Sequence, residues 1–361
     1  MSEWKEYKWG DLATLEYGKG LIDYQRENGK YPVYGTNGKI GTSDVFLCPY
    51  PGIVIGRKGA YRGVHFSNTP FYVIDTAFYL NPKVADLDMK FAYYQLLTVD
   101  INYMDSGSAI PSTSREDFYD LDIMLPPLPE QHSIASILSS LDDKIDLLHR
   151  QNKTLEALAQ TLFRQWFMEE AEGGWEERPL SSIANFLNGL ACQKFPPKNE
   201  IDKLPVLKIK ELSSGISESS DWAATEVSPE YIVQGGDVIF AWSASLMVKV
   251  WDGEKCVLNQ HLFKVTSSEF PKWFYLAWCK YHLAEFISIS LSHATTMGHI
   301  KRGDLDAVMV LVPSDNEISA MSEKMTPLLD KQIVNARQIR TLTRLRDTLL
   351  PKLMSGEVRI E

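Results

Sequence analysis

Apolar residues between positions 129 and 167 recur at steps of four and three, the spacing of a heptad seam on one helix face. A helix of about 33 residues, rising roughly 1.5 Å per residue, is about 50 Å long and exceeds what one compact core needs. The pattern therefore predicts a long spacer helix, although an amphipathic helix packed on a single domain would show the same spacing. The predicted seam comprises Ile134, Leu138, Leu141, Ile145, Leu148, Asn152, Leu155 and Leu162.

The same heptad pattern is repeated further along the chain. Leu141 is matched by Leu328 at an offset of 187 positions, and Leu155 is matched by Leu342 at the same offset. Two long apolar seams in one chain are most simply buried against each other, and a duplication related by a pseudo-two-fold axis would run them antiparallel. The second predicted seam comprises Leu328, Asn335, Ile339, Leu342 and Leu349.

Each seam contains one polar interruption, Asn152 in the first and Asn335 in the second. A buried asparagine can fix the register of two helices at a cost in stability. Buried solvent or a simple defect in the seam would explain these residues nearly as well.

The second copy also contains two prolines, Pro327 and Pro351. Proline lacks an amide proton and clashes with the preceding helical turn, so we expect the long helix to start near Pro327 and fray near Leu350. Ser314 and Glu317 stand three positions apart and predict a capping box at the start of the repeated helical region.

The duplication covers more than the helices. Trp4 and Gly18 match Trp175 and Gly189 at an offset of 171. Two strand-like segments, residues 51–55 and 73–76, match residues 235–239 and 257–260. The aromatic-rich segments 91–97 and 273–281 predict a core helix in each copy. The sequence predicts an α+β protein with two globular domains, residues 1–127 and 173–313, and two long antiparallel helices, within residues 128–172 and 314–361.

Composition sets the broad class of the protein. With 361 residues, 44% hydrophobic and 23% charged, the chain suits two globular domains. No apolar run approaches the roughly 18 residues of a membrane span, and no apolar signal core opens the sequence, so we expect a cytoplasmic protein without a membrane partner. The four cysteines lack a CxxC pair and indicate neither a disulfide framework nor a metal site.

Charge and motifs restrict the possible functions. A net charge of −10 argues mildly against coating nucleic acid by bulk attraction, although local basic patches remain compatible with it. The chain has no GxxxxGK[ST] loop and no Asn-Pro-Pro-aromatic motif, since the nearest match, Asn81-Pro82-Lys83, lacks the second proline and the aromatic residue. We therefore expect a protein that is not an enzyme and holds no cofactor.

With both copies laid out, the whole chain resembles the specificity subunit of type I restriction-modification systems. The resemblance is carried by LPPLPEQHSIASILSSLDDKIDLLHRQNKTLEALAQTLFRQWF and, in the first domain, by YPVYGTNGKIG, PGIVIGRKGAYRGVHFS and FYVIDTAFYL. It implies a non-catalytic subunit in which two target-recognition domains read the halves of a bipartite double-stranded DNA site. The helix pair would set the spacer and dock two methyltransferase subunits, and the complex would recruit motor-nuclease subunits that use ATP.

Candidate DNA contacts follow from the donors and aromatics that base reading requires. In the first domain, glycine-punctuated loops carry Arg57, Lys58, Tyr61 and Arg62, with Tyr34, Thr36, Asn37 and Lys39 in one neighbouring loop and Ser112, Thr113, Ser114 and Arg115 in another. The corresponding places of the second domain hold Lys208, Lys210, Trp242, Ser243, His299, Lys301 and Arg302. Each set has a structural alternative. The cations of the first loop could be solvated surface charge, the loop with Tyr34 could be a plain hairpin turn, and Trp242 could be a core residue.

Two other functions fit parts of the sequence. A protein-interaction scaffold would use the long helices without reading DNA, but the glycine and cation loops in both copies speak against it. A stand-alone methyltransferase is disfavoured because the motifs for that chemistry are missing.

Overall fold

The computed structural model describes residues 4–24, 28–104, 111–171, 173–292 and 298–360. The chain divides into two compact units. The first unit consists of residues 1–144 and 342–361, and the second unit of residues 145–341. Both long helices therefore contribute one part to each unit.

The first unit contains all of the strands and short α-helices that precede the first long helix. Its elements are β1 (Lys5–Lys8), α1 (Trp9–Leu12), β2 (Ala13–Tyr17), β3 (Tyr31–Gly35), β4 (Gly38–Ser43), β5 (Gly52–Gly56), β6 (Val64–Ser67), β7 (Tyr72–Val73), β8 (Ala77–Pro82), α2 (Met89–Leu97), α3 (Arg115–Tyr119) and β9 (Asp122–Leu125). The first long helix, α4 (Leu128–Arg164), follows and ends in a π-helical turn, Gln165–Glu169.

The second unit repeats this order and adds two helices and one strand to it. Its elements are β10 (Glu176–Pro179), α5 (Leu180–Ile183), β11 (Asn185–Asn188), β12 (Lys203–Leu207), α6 (Ile209–Ser214), β13 (Trp222–Ala224), β14 (Ile232–Val233), β15 (Val238–Ala241), β16 (Met247–Val250), β17 (Cys256–Leu258), β18 (Leu262–Thr266), α7 (Lys272–Tyr281), α8 (Leu283–Ser292), α9 (Arg302–Ala307) and β19 (Met309–Val312). The second long helix is α10 (Asp315–Met354).

The sheets of the two units have matching topology. The antiparallel sheet β2-β8-β5-β6 of the first unit corresponds to β11-β18-β15-β16 of the second. The pair β3 and β7 is parallel, as is the pair β12 and β17. The α+β class and the internal repeat predicted from sequence are thus confirmed.

The strand match predicted from sequence is wrong by one residue. Ile55 pairs with Phe78 in the first unit, and Phe240 pairs with Phe263 in the second. Ile55 therefore corresponds to Phe240 rather than to Ile239, and the offset in this region is 185. Strands β5 and β15 are buried along their whole length, so neither shows the alternation of polar and apolar residues that would have fixed the register.

Each unit has its own hydrophobic core built against parts of both long helices. In the first unit, Phe91 of α2 is buried in one cluster with Leu138 of α4 and Leu353 of α10. In the second unit, Trp278 of α7 is buried with Phe163 of α4 and contacts it ring to ring at 4.9 Å. Burying each such side chain stabilises the folded state by about 1.5–3 kcal/mol. The long helices therefore contribute to the stability of both cores.

The predicted start of the second long helix near Pro327 is wrong, because α10 runs through both prolines. Pro327 and Pro351 are exposed, so water can reach the carbonyl groups that proline leaves without an amide partner. Buried Met325 and Leu329 hold the helix on either side of Pro327. At its start, the backbone N–H of Ser314 donates to Glu317 Oε2 at 2.8 Å, which is one of the two hydrogen bonds of the predicted capping box.

The two long helices run antiparallel within each unit. In the first unit, Arg346 Nη1 donates to Asp142 Oδ1 at 2.9 Å. In the second unit, Asn335 Nδ2 donates to Asn152 Oδ1 at 2.9 Å, and Lys324 Nζ lies 5.9 Å from the ring centre of Trp166. None of the predicted seam residues is exposed, and Asn335 is fully buried.

The described part of the chain has no helix that combines the length and apolarity of a membrane span. The four cysteines are buried and unpaired. Across the described ranges, His, Cys, Asp and Glu side chains form no group of three or more that is placed to hold a metal ion.

Candidate nucleic-acid interface

The first unit presents a loop, residues 56–63, between strands β5 and β6. Its ends are closed by a hydrogen bond from the Gly56 N–H to the Gly63 carbonyl at 2.8 Å. The middle is tied to residues 111–115, because the Gly59 N–H donates to the Pro111 carbonyl at 3.0 Å and the Thr113 N–H donates to the Arg57 carbonyl at 2.9 Å. These bonds bring two of the predicted loops together on one surface.

Two arginines from these loops flank the ring of Tyr17, at the end of β2. The guanidinium carbon of Arg57 lies 4.8 Å from the ring centre and that of Arg115 lies 5.2 Å from it. A hydrogen bond to the Tyr119 hydroxyl raises the pKa of Arg115. Tyr17 is 48% exposed, so this cluster of two cations and an aromatic ring opens onto solvent. Sequence reasoning missed Tyr17, whose only signal is an aromatic residue immediately before a GKG turn.

Arg62 does not belong to the exposed set predicted from sequence. Its side chain is 4% exposed, and Nη2 donates to the carbonyl oxygen of Asn102 at 2.8 Å. The same Nη2 lies 3.3 Å from the carbonyl oxygen of Met104, so one nitrogen of the guanidinium holds two carbonyl groups together. We correct the predicted role of Arg62 from DNA contact to anchor of the 56–63 loop.

Thr113 and Ser114 also have structural roles. Thr113 is 4% exposed, and its hydroxyl donates to the Gly56 carbonyl at 2.7 Å. The Ser114 hydroxyl accepts a hydrogen bond from the Asp117 N–H at 3.1 Å and thereby caps α3. The burial of Thr113 corrects its predicted role as a DNA contact, whereas Ser114 is half-buried.

Two tyrosines project from this surface. Tyr61 is 82% exposed and Tyr103 is 89% exposed. The residues beside them are joined, since the Arg62 N–H donates to Asn102 Oδ1 at 2.8 Å and Asn102 Nδ2 donates to the Arg62 carbonyl at 3.4 Å. Tyr103 was not predicted from sequence, because nothing in its immediate neighbours marks it as exposed.

The remaining predicted residues of the first unit lie near the β3–β4 hairpin and the 111–115 segment. Thr36 is half-buried, and its hydroxyl donates to the Lys58 carbonyl at 2.8 Å, which fixes the hairpin to the 56–63 loop. Lys58 Nζ lies 3.9 Å from Asp75 Oδ2. Exposed positions are held by Asn37 and Lys39, and half-buried ones by Tyr34, Lys58 and Ser112.

The second unit builds the same backbone frame. The Ile300 N–H donates to the Trp242 carbonyl at 3.0 Å, and the Ala244 N–H donates to the Gly298 carbonyl at 2.8 Å. Ser243 and His299 form an isolated antiparallel β-bridge, as Lys58 and Ser112 do in the first unit. The backbone φ angle is positive at both equivalent turn positions, +120° at Gly59 and +56° at Ala244. Trp242 therefore takes the place of Arg57, and His299 takes the place of Ser112.

The side chains on this second frame are different. Trp242 Nε1 donates to Asn188 Oδ1 at 3.0 Å, and the indole stacks on Phe263 with 5.7 Å between ring centres. An open pocket of about 300 Å³ is lined by Asn188, Trp242, Phe263, His299, Lys301 and Arg302. Lys301 and Arg302 are exposed, whereas Ser243 is 7% exposed and its hydroxyl lies 3.2 Å from His261 Nδ1. Asn188 and His261 were not predicted.

Lys208 and Lys210 lie between β12 and β13, on a segment where the second unit departs from the first. There, α6 lies between the antiparallel strands β12 and β13, whereas a short turn joins the antiparallel strands β3 and β4 of the first unit. Lys208 pairs with Asp221, and Lys210 Nζ donates to the Ser219 hydroxyl at 2.7 Å. Lys210 is exposed and Lys208 is half-buried.

The molecule is thus an internally duplicated α+β protein with one candidate binding surface per unit. The chain belongs to the family described as the type I restriction modification DNA specificity domain, whose sequence model matches residues 1–157 and 172–344. The two matched segments correspond to the two copies.

Known proteins agree with this assignment. The type I restriction enzyme MjaIX specificity subunit of Methanocaldococcus jannaschii is 27% identical over 286 residues, covering 72% of this chain and 65% of that protein. The HindI specificity subunit of Haemophilus influenzae is 20% identical over 466 residues, covering 99% of this chain and all of that protein. The crystal structure of the type I restriction-modification S subunit from M. genitalium has the same fold, with a TM-score of 0.70 and 18% identity, and covers 98% of this chain and 96% of that one.

Proposed function

We propose that this chain is the DNA-specificity subunit of a type I restriction-modification complex, in which each unit reads one half of a bipartite double-stranded site. The observation that carries the proposal is the repeated loop frame. The frame presents Arg57 and Ser112 in one unit and Trp242 and His299 in the other. A conserved backbone with different side chains suits two readers of two different base sequences.

The proposed division of labour follows the predicted domains. Residues 1–127 and 173–313 are the two target-recognition domains, and the long helices within residues 128–172 and 314–361 set the number of unread base pairs. The antiparallel contacts between α4 and α10 in each unit, such as Asp142 with Arg346 and Asn152 with Asn335, support a spacer made of two paired helices. A helix of 37 residues is about 55 Å long, or roughly one and a half turns of B-DNA.

Catalysis is proposed to reside in partners. Two methyltransferase subunits would dock on the helix regions and use S-adenosylmethionine, and motor-nuclease subunits would supply ATP-driven cleavage. The net charge of −10 supports a need for these partners, because a duplex attracts clustered Lys and Arg rather than an acidic chain. The isolated subunit is therefore proposed to bind DNA weakly, and the assembled complex tightly.

The test is DNA methylation by a complex of this chain with methyltransferase subunits that assemble with it. The complex should methylate only DNA that contains a split motif, and duplex binding should weaken steeply between 50 and 200 mM salt, by about 10³-fold if six phosphates are contacted. Methylation without regard to sequence would contradict the proposal.

The net charge also favours a second candidate, a protein-interaction scaffold that does not read DNA. The two candidates differ at Arg57 and Lys58. Replacing both with methionine should abolish target discrimination by a specificity subunit, and should leave DNA binding by the complex unchanged if the chain is only a scaffold.

A further inference from the structure

We propose that Asn188 reads an adenine in the half-site that faces the second unit, by donating to and accepting from the major-groove edge of that base. This inference rests on the proposed function and assigns one base to one side chain.

The structure holds the Asn188 amide in a defined orientation. Trp242 Nε1 lies 3.0 Å from Asn188 Oδ1. An indole N–H can only donate, so the amide oxygen must face it and the amide nitrogen must point away. Trp242 is itself fixed, because its ring stacks on Phe263 at an interplanar angle of 26° and its carbonyl accepts the N–H of Ile300.

The outward edge of this amide has one donor and one acceptor. Asn188 is exposed, and its Nδ2 donates to no partner among the residues that the structure describes. The Oδ1 atom retains a second lone pair beside the one that faces the indole. The side chain therefore offers an N–H and a carbonyl oxygen side by side, without the rotational freedom of an ordinary surface asparagine.

That pair of groups matches adenine. In the major groove, adenine presents the N7 acceptor next to the N6 donor, which an amide can engage in two hydrogen bonds. Guanine presents two acceptors, so its O6 would lie against the Asn188 oxygen. Cytosine offers only the N4 donor, and thymine offers only the O4 acceptor beside its methyl group.

The surroundings suit a base edge held beside phosphates. Asn188 lines the open pocket of about 300 Å³ together with His299, Lys301 and Arg302. The two exposed cations supply backbone contacts that position a duplex without specifying sequence.

The equivalent position of the first unit holds Tyr17. Strand β2 pairs Tyr17 with Phe78, and β11 pairs Asn188 with Phe263. Tyr17 contacts the guanidinium groups of Arg57 and Arg115 and offers no amide. The effect of changing Asn188 should therefore be confined to one half-site.

The first test uses Asn188→Asp, which keeps an oxygen for the Trp242 indole and removes both N–H donors. Methylation of genomic DNA is mapped for the wild-type complex and for the variant. The variant should relax one position of one half-site, an adenine in the wild-type motif, with discrimination there falling about 5- to 150-fold. The other half-site should be unchanged and serves as the internal control.

A second test probes the adenine itself. Oligonucleotide duplexes carry 7-deazaadenine, which lacks the N7 acceptor, at that position. The wild-type complex should bind this duplex more weakly than the adenine duplex, and the Asn188→Ala complex should bind both equally.

Two outcomes would overturn the inference alone. One is a split motif that Asn188→Asp leaves unchanged, and the other is relaxation at a position that does not specify adenine. A wild-type complex without any split motif would overturn the proposed function, and this inference with it.

Discussion

Trp175 Nε1 donates a hydrogen bond to Glu317 Oε1 at 3.1 Å and so ties the first strand region of the second unit to the start of α10. The first unit repeats this contact, because Trp4 Nε1 donates to Glu130 Oε1 of α4 at 3.1 Å. In each copy a tryptophan near the start of the repeat therefore fixes the first turn of the long helix. The sequence offset is 171 for the tryptophans and 187 for the glutamates, and the structure makes the two pairs equivalent.

Glu317 should make the stability of the second unit depend on pH. Hydrogen bonds from Ser314, and then from Trp175, lower the pKa of Glu317 below the ordinary value of a glutamate. The ionised form is thus favoured in the folded state. Its stabilisation is complete above the ordinary glutamate pKa and is lost as pH falls through the lowered pKa. Glu317→Gln should cost about 0.5–1 kcal/mol at neutral pH, in the range of an exposed helix cap, and nothing in strong acid.

Guanidinium unfolding at a series of pH values, followed by tryptophan fluorescence, measures this difference. Trp175→Phe is the matched control, since it removes one donor and leaves the carboxylate. A constant difference between wild type and Glu317→Gln at every pH would contradict the assignment.

Gly18 and Gly189 should resist substitution by alanine. A Cβ atom on Gly18 would lie 2.0 Å from the Ile74 carbonyl oxygen, and one on Gly189 would lie 2.3 Å from that of Asn259. These neighbours are backbone atoms that cannot move without breaking the strand pairing. Either substitution should destabilise its unit by at least about 3 kcal/mol. Gly20→Ala is the control, because nothing lies within 4 Å of the added atom. Thermal unfolding measures the loss of stability, and an equal loss in all three variants would contradict this packing.

Replacing Arg62 should lower stability, whereas replacing Arg57 should weaken DNA recognition. Arg62→Met removes charged hydrogen bonds to buried carbonyl groups and should lower the free energy of unfolding by about 1.5–3 kcal/mol. Arg57→Met should leave stability within about 0.5 kcal/mol, because its guanidinium lies on the surface ring of Tyr17, while specific DNA binding by the complex falls. Chemical denaturation and a binding titration on each variant test this, and the reverse ranking would contradict it.

Tyr61 and Tyr103 should contribute to DNA binding without contributing to stability. Both rings are almost entirely exposed, so Tyr61→Ser and Tyr103→Ser should leave the unfolding midpoint unchanged. Binding of target duplex by the complex should weaken about 5-fold or more per residue, as for an exposed tyrosine that becomes buried in an interface. Unchanged affinity in both variants would remove these tyrosines from the interface.

The Asn152 and Asn335 pair should set helix register at a cost in stability. Asn335 is fully buried, and its Oδ1 atom has no hydrogen-bond partner in the described part of the chain. Replacing both residues with leucine should stabilise the protein by about 1–2 kcal/mol, since it removes buried polar atoms. The register of the two long helices should become less defined. Methylation mapping would detect this change as tolerance of more than one spacer length, and a single unchanged spacer would contradict the role in register.

The sequence correctly predicted the parts of the structure that show a clear hydrophobic periodicity or an internal repeat. The heptad steps from Ile134 to Leu162 predicted α4, and the matched residues predicted the duplicated α+β architecture. Periodicity failed where burial is two-sided, as in β5 and β15, where a one-residue error in the match followed. The expectation that Pro327 starts the second long helix failed for another reason, because side-chain packing at Met325 and Leu329 outweighs the local cost of proline.

The candidate site could be predicted only in part. Glycine-punctuated loops with cations indicated the 56–63 loop, but burial cannot be deduced from residue type alone, and Arg62 and Thr113 proved to be anchors. Tyr17 and Asn188 were missed because they are ordinary strand-end residues in sequence. They acquire a role only through contacts with residues about 40 to 100 positions away, which strand pairing creates.

The most direct test of the account is single-molecule methylation mapping of DNA from cells that carry this gene with the gene of a methyltransferase subunit that assembles with it, compared with cells that lack this gene. The account predicts a split motif, two short defined blocks around an unspecified spacer of fixed length, that disappears with the gene. Methylation that lacks a split motif, in cells shown to express and assemble both proteins, would contradict it.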